Sequence, residues 1–202
     1  MALSLRLSAL ALLFLASSPP PARGSPPTLH TGDLAFIRSK SSRSELIQRA
    51  SHSPYSHVGV VEVTDGGIFV IEAIQPVSRT PWNRFVARAD HRRVTVARVT
   101  GLDTATLERV VTTAKANLGK GYDARYRWDD ERLYCSELVV KAFARGAEVS
   151  LGRRQRVREL ALSAAELALA QTLGIAPDTE LVTPGSLLEG DRVQVVARDV
   201  AW

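Results

Sequence analysis

The chain has 202 residues, 26 Lys and Arg against 21 Asp and Glu, a formal net charge of +5, and 45% hydrophobic residues. This is the balance of an ordinary globular domain. The mild basic excess is spread along the chain and lacks the concentrated basic, aromatic-rich face that nucleic-acid binding asks for. With only one cysteine, an internal disulfide is excluded.

Residues 1–24 read as a secretory signal peptide. Arg6 gives a positive start, residues 7–16 a short apolar run, and Ala22-Arg23-Gly24 small residues at the two positions a signal peptidase reads. The run is far short of the ~20 residues a membrane-spanning helix needs. An uncleaved anchor is the competing reading. A lipid anchor is disfavoured, since no cysteine lies near the cleavage site. No later stretch is long and apolar enough to span a bilayer. The expectation is therefore a soluble mature protein, secreted or periplasmic, with no integral membrane segment after cleavage. Loss of Arg6 and Arg23 leaves 24 basic residues against 21 acidic, a charge of +3. The remaining chain is of a size for one domain.

Residues 25–31 form a short leader, and 32–202 are expected to be that single domain. Gly32-Asp33 turns into an apolar strand at 34–37. Ser42-x-x-Glu45 is a capping box for a helix ending near Ala50, with Leu46 and Ile47 as its buried residues. Segments 57–63 and 68–74, rich in Val, Ile and Phe, flank Thr64-Asp65-Gly66-Gly67 and make the clearest hairpin. A strand follows at 94–99. A helix at 104–118 carries Leu107, Val110, Val111, Ala114 and Leu118, with Asp103 or Thr104 as N-cap and Gly119 as stop. Residues 121–133 are a loop dense in aromatics and charges. A second helix spans 136–145, with Leu138, Val139, Ala142 and Phe143 on its apolar face and Gly146 at a left-handed C-cap. Residues 153–158 read as a solvated basic connection, 160–173 as an Ala/Leu-rich helix, and 192–197 as a last strand. The fold class is α+β with a mostly antiparallel sheet.

Cys135 precedes the second of these helices, where unpaired amides and the helix dipole favour a thiolate. Composition alone favours a buried, inert thiol, so a base is needed. His30, His52 and His91 fall in loops or irregular ends, whereas His57 opens a strand. If Val63 pairs with Ile68, Gly59 faces Glu72, and His57, Gly59, Glu72 and Ile74 share a sheet face. Glu72 lies in the otherwise apolar row Ile68–Val70–Glu72–Ile74, and a carboxylate there needs a partner. Gly59 leaves it room to reach diagonally to the imidazole. The alternatives for Glu72 are a solvent-facing strand glutamate or an arginine salt bridge.

The blocks Gly32-Asp33-Leu34, Tyr55-Ser56-His57-Val58-Gly59-Val60, Ile71-Glu72-Ala73, Gly121-Tyr122-Asp123, Tyr134-Cys135-Ser136-Glu137-Leu138-Val139 and Thr183-Pro184-Gly185-Ser186-Leu187 occur in a telling order. The sequence resembles the YiiX-like permuted papain-like amidases, relatives of the NlpC-type cell-wall peptidases. The resemblance covers Gly32 to about Ala144 and Val182 to Ala197, while 147–181 departs from it. It implies a permuted papain-like fold, an antiparallel sheet against helices with the cysteine at a helix N-terminus. It also implies Cys135 as nucleophile, His57 as general base and Glu72 as the acid that orients the histidine. Glu137, two positions past the nucleophile, points elsewhere and reads as a structural salt bridge. Tyr55 and Tyr134, in the same two blocks, are the candidate substrate-binding residues.

The leading expectation is a cysteine amidase or peptidase acting through an acyl-enzyme on an envelope amide, such as a peptidoglycan peptide. The alternatives are a thiol acyltransferase or esterase acting on an acyl lipid, and a non-catalytic lipid- or wall-binding scaffold. No cofactor is expected. No metal is expected either, because no C-x-x-C or H-x-x-x-H spacing supports zinc. A serine hydrolase is disfavoured by the lack of a G-x-S-x-G elbow.

Overall fold

A computed structural model of the chain describes residues 26–40 and 42–202, the side chains of Ser42 and Arg43 excepted. The signal peptide, the start of the leader and the capping role of Ser42 lie outside the described residues.

Among the described residues, ten strands and five α-helices follow in order: β1 (Leu34–Ile37), α1 (Ser42–Ala50), β2 (His57–Thr64), β3 (Gly67–Glu72), β4 (Ser78–Pro81), α2 (Trp82–Ala87), β5 (Arg93–Val99), α3 (Thr104–Lys115), β6 (Gly121–Tyr122), β7 (Arg132–Leu133), α4 (Cys135–Ala147), β8 (Arg154–Arg156), α5 (Ala164–Thr172), β9 (Glu180–Val182) and β10 (Val193–Ala201). Six strands make one sheet in the order β10-β5-β1-β2-β3-β4. Every neighbouring pair in it is antiparallel. Two two-stranded ribbons, β6-β7 and β8-β9, stand apart from it. The chain has the α+β, permuted papain-like architecture.

The sheet is covered on both faces, and period-two alternation sorts its side chains. Leu34, Phe36, Val58, Val60 and Ile71 face one core, shared with Val110, Val111 and Ala114 of α3 and Leu138, Val139, Ala142 and Phe143 of α4. Ala35, Ile37, Val61, Val70, Val94 and Val96 face the other, shared with Phe85 and Val86 of α2. β1 is buried at all four positions, as a central strand must be.

The hairpin takes the register that pairs Val63 with Ile68 and Val60 with Ile71. Asp103 caps α3, accepting the Thr106 N–H at 2.8 Å. Several boundaries differ from the sequence expectation. α4 begins at Cys135 itself and ends in a left-handed cap at Glu148 (φ 57°), not at Gly146. Gly146 serves closeness instead, because a Cβ there would lie 2.7 Å from the Val110 Cα. α3 and α4 could not pack so tightly with a side chain between them. Leu46 and Ile47 are only half-buried. α5 begins at Ala164, capped by Ser163, after an irregular stretch. Segment 153–158, expected as a solvated connection, contributes β8, which pairs with β9. β4 and α2 carry no strong sequence pattern: six residues make α2, anchored by buried Phe85 and Val86.

Candidate active site

The sheet's geometry places His57. It is the first residue of β2, and the chain before it is pinned. The Ser56 N–H donates to the Ile37 carbonyl at 3.1 Å. The Ser56 hydroxyl accepts from the Ser39 N–H at 3.0 Å and from the Ser44 hydroxyl of α1 at 2.5 Å. A histidine on such a mount has little freedom to turn away.

Glu72 is the last residue of β3 and fully buried. Its Oε2 lies 2.6 Å from His57 Nε2. Gly59 makes the reach feasible: a Cβ there would stand 2.4 Å from Val70 Cγ1 and 3.1 Å from Glu72 Cβ. Glu72 has a second partner as well. One terminal nitrogen of Arg88 donates to Oε1 at 2.6 Å and to Oε2 at 2.5 Å. Both readings of Glu72 from the sequence, histidine acceptor and arginine ion pair, thus hold at once. Arg88 itself carried no sequence signal beyond the need of a buried carboxylate for a cation.

Cys135 comes from the opposite direction, at the first turn of α4, and is buried. α4 starts there because Tyr134 is extended and the Glu137 side chain turns back to accept the Tyr134 N–H. The first-turn amides of α4 have no acceptor within the helix. Sγ lies 3.9 Å from the Ser136 hydroxyl, and its electrostatics are set chiefly by the His57 side chain, with smaller effects of Ser136 and the Val58 backbone. With Nε2 engaged by Glu72, Nδ1 is the ring nitrogen left for sulfur.

These contacts set the charge states. Burial alone would push the Cys135 thiol up, but the hydrogen bond and charge of His57 outweigh it and hold the thiol below its ordinary value. Burial would likewise discharge His57, yet its bonds to Cys135 and Glu72 raise it to about 9. Glu72 is held down to about 2, with the His57 bond and charge and then Arg88 overcoming its desolvation. Each shift favours the charged form of its group: thiolate at Cys135, imidazolium at His57 and carboxylate at Glu72.

Tyr134 and Cys135 line a cavity of about 160 Å³ whose walls are mostly apolar, among them Leu160, Leu162, Ala170, Leu173 and Leu181. Much of that wall comes from segment 147–181. The Tyr134 hydroxyl accepts the Val182 N–H at 2.9 Å, docking β9 beside the cysteine. Tyr55 does not line this cavity. Its hydroxyl donates to Thr95 Oγ1 at 3.0 Å, and it borders a second cavity of mixed lining with Arg38, Arg93 and Arg198. Glu137 pairs with Lys141 at 2.7 Å. Among the described residues, no group of three or more His, Cys, Asp or Glu side chains is placed to hold a metal ion.

Residues 28–197 match the family described as permuted papain-like amidase enzyme, YaeF/YiiX, C92 family. The chain belongs to this family. A relative, the uncharacterized protein YiiX of Escherichia coli strain K12, is 33% identical over 174 residues, covering 84% of this chain and 86% of YiiX. A crystal structure titled as metalloprotein yiiX from Escherichia coli O157:H7 superposes with a TM-score of 0.79 at 34% identity, over 84% of this chain and 97% of that one. This C92 match also spans segment 147–181, which the quoted blocks had left out. The closing block of the C92 resemblance packs against the loop before His57, since a Cβ on Gly185 would meet Ser53 Cβ at 2.5 Å.

Proposed function

We propose that this C92-family chain is an exported cysteine amidase or peptidase acting on an amide of the cell envelope, with Cys135 as nucleophile, His57 as general base and acid, and Glu72 as the orienting acid. The observation that carries the reading is the 2.6 Å contact of His57 with buried Glu72, on an imidazole that also holds the Cys135 thiol down. Of the chain's own groups, the thiolate attacks the substrate carbonyl carbon, and its electron pair becomes the C–S bond while the carbonyl oxygen takes the negative charge. First-turn amides of α4 stabilise that oxyanion. The intermediate collapses as the imidazolium delivers its proton to the leaving amine, giving an acyl-thioester. Neutral His57 then takes a proton from water, the hydroxide displaces sulfur, and acid and thiolate are restored. Glu72 holds the imidazole in place and favours its charged form throughout.

The apolar cavity supports a second reading on the same machinery, in which the acyl group is a lipid chain and the enzyme an acyltransferase or esterase. Ten or more apolar side chains around a nucleophile favour an alkyl chain over a polar peptide. No helix among the described residues is long and apolar enough to cross a membrane, and the domain bounded by residues 32–202 is proposed to work in the periplasm or outside the cell. The metal named for the E. coli structure finds no matching donor group among the described residues here. Both Glu72 oxygens are occupied by His57 and Arg88, leaving one thiol and one ring nitrogen, so no step is assigned to a metal. The deciding experiment is turnover of peptidoglycan fragments, peptide amides and acylated lipids by the purified protein beside Cys135→Ala. Turnover that survives in Cys135→Ala would refute the reading.

A further inference from the structure

We infer that Arg88 is a positioning residue of this site, gripping both oxygens of Glu72 so that the acid stays in line with His57 and its charge is partly offset. The inference rests on the Cys135–His57–Glu72 reading and adds to it a control on the pH window in which the array works.

Geometry points to Arg88 first. A fully buried carboxylate can accept several hydrogen bonds, and His57 takes only one oxygen. Left there, the carboxylate could swing about its last bond and leave the imidazole. The Arg88 nitrogen straddles both oxygens and removes that freedom. Arg88 is itself fixed: its backbone N–H donates to the Phe85 carbonyl at 3.2 Å at the end of α2. Its guanidinium lies 5.5 Å from the Phe85 ring, and that ring lies 6.1 Å from the imidazole. One detail shows what the arginine is there for. Its Nε is buried with no hydrogen-bond partner among the described residues. A side chain placed for its own satisfaction would use that donor; this one forgoes it to reach Glu72.

Charge points the same way. The groups acting on Glu72 are His57 from β2 and Arg88 after α2, and those acting on His57 are Glu72 from β3 and Cys135 from α4. Neighbouring charges are engaged elsewhere: Arg79 of β4 with Glu62, Asp90 with Arg38, and Glu137 of α4 with Lys141. An imidazolium facing two anions with no opposing cation would cling to its proton, which the leaving group needs. Among the described residues, Arg88 supplies that opposing cation, a single carboxylate away.

The test reads both protonations in the full-length mature protein, with wild type beside Arg88→Met, Arg88→Gln and Arg88→Lys. The pH dependence of Cys135 alkylation by iodoacetamide reports the thiolate, and histidine-ring NMR reports His57. Losing the cation should move both midpoints to higher pH in Arg88→Met and Arg88→Gln, by about one unit for His57. Arg88→Lys should stay near wild type, because it returns the charge. Unmoved midpoints in the neutral variants, with only the melting temperature falling, would reduce Arg88 to a structural residue and overturn the inference. Should Arg88→Met not fold, the Gln and Lys variants decide. Failure of the parent reading looks different: wild-type Cys135 would then alkylate as an ordinary thiol and His57 would titrate near its ordinary value, and the inference would fall with it.

Discussion

His57 and Glu72 meet at 2.6 Å because one is the first residue of β2 and the other the last of its hairpin partner β3. The contact runs diagonally across Gly59, so the acid is delivered by strand register and not by a loop. Such a pair should hold its shape with or without substrate.

The first prediction ranks the three residues. Cys135→Ala removes the only thiol and should bring turnover to background. His57→Ala removes the base and the partner of the thiolate and should be nearly as severe. Glu72→Gln should be milder, keeping shape and one hydrogen bond while losing the charge that favours imidazolium. Residues acting as a unit are non-additive, so Cys135→Ala/His57→Ala should be no worse than Cys135→Ala. Steady-state rates for the four variants check this, and full activity in His57→Ala would show that another base serves.

Stability should follow the same two groups. His57 is raised from 6.5 to about 9, so its contribution is complete below pH 6.5 and is lost as the pH rises through 9. Glu72 is lowered from 4.5 to about 2, so its contribution is complete above pH 4.5 and is lost as the pH falls through 2. The stability that wild type holds over Glu72→Gln should therefore be largest between pH 4.5 and 6.5 and shrink on both sides. Melting temperatures across pH 2–10 for the two proteins measure it; a difference that stays flat would contradict the pairing.

A third prediction concerns Gly59. Alanine there puts a methyl 2.4 Å from Val70 Cγ1 and 2.9 Å from the Ile71 carbonyl oxygen, neither of which can swing far inside a sheet. Gly59→Ala should cost roughly 1–3 kcal/mol. It should also slow Cys135 alkylation, because Glu72 is the next atom set in the way. A stable variant with wild-type alkylation would mean that the sheet yields without moving the acid.

These residues also show where sequence reasoning reached and where it stopped. The hairpin was legible because Thr64–Gly67 fixes the turn and period-two alternation then fixes every pair beyond it, down to Gly59 facing Glu72. Cys135 at a helix start was legible from the apolar face of Leu138, Val139, Ala142 and Phe143. Arg88 was not. It follows a six-residue helix with no side-chain cap, and one arginine among many has no local pattern; only the tertiary path of α2 brings it to Glu72. Gly146 misled for a related reason. A glycine near a helix end resembles a C-cap, and only the approach of α3 reveals that it is a contact point. Segment 147–181 gave no chemistry in sequence because its contribution is the shape of a cavity wall, which is assembled from the stretch after β8, from α5 and from β9 only after folding.

The last prediction uses that wall to separate the two substrate readings. Ala170 sits on α5, a helix with no fully buried residue, and its side chain faces the cavity beside Leu162, Leu173 and Leu181. Ala170→Phe should fill part of the roughly 160 Å³ while leaving the core of the domain and the array around Cys135 untouched. Each methylene kept from burial costs about 0.8 kcal/mol, so excluding four carbons of a chain would lower kcat/KM by roughly two hundredfold. If the cavity holds an acyl chain, Ala170→Phe should therefore lose activity toward long-chain esters and keep it toward short ones, with iodoacetamide alkylation of Cys135 unchanged or slowed only by access. If the substrate is a peptide amide that does not use the cavity, rates on peptidoglycan fragments should be the same in both proteins. An equal loss on short and long substrates, accompanied by a lower melting temperature, would show instead that α5 supports the fold and that the cavity does not read chain length.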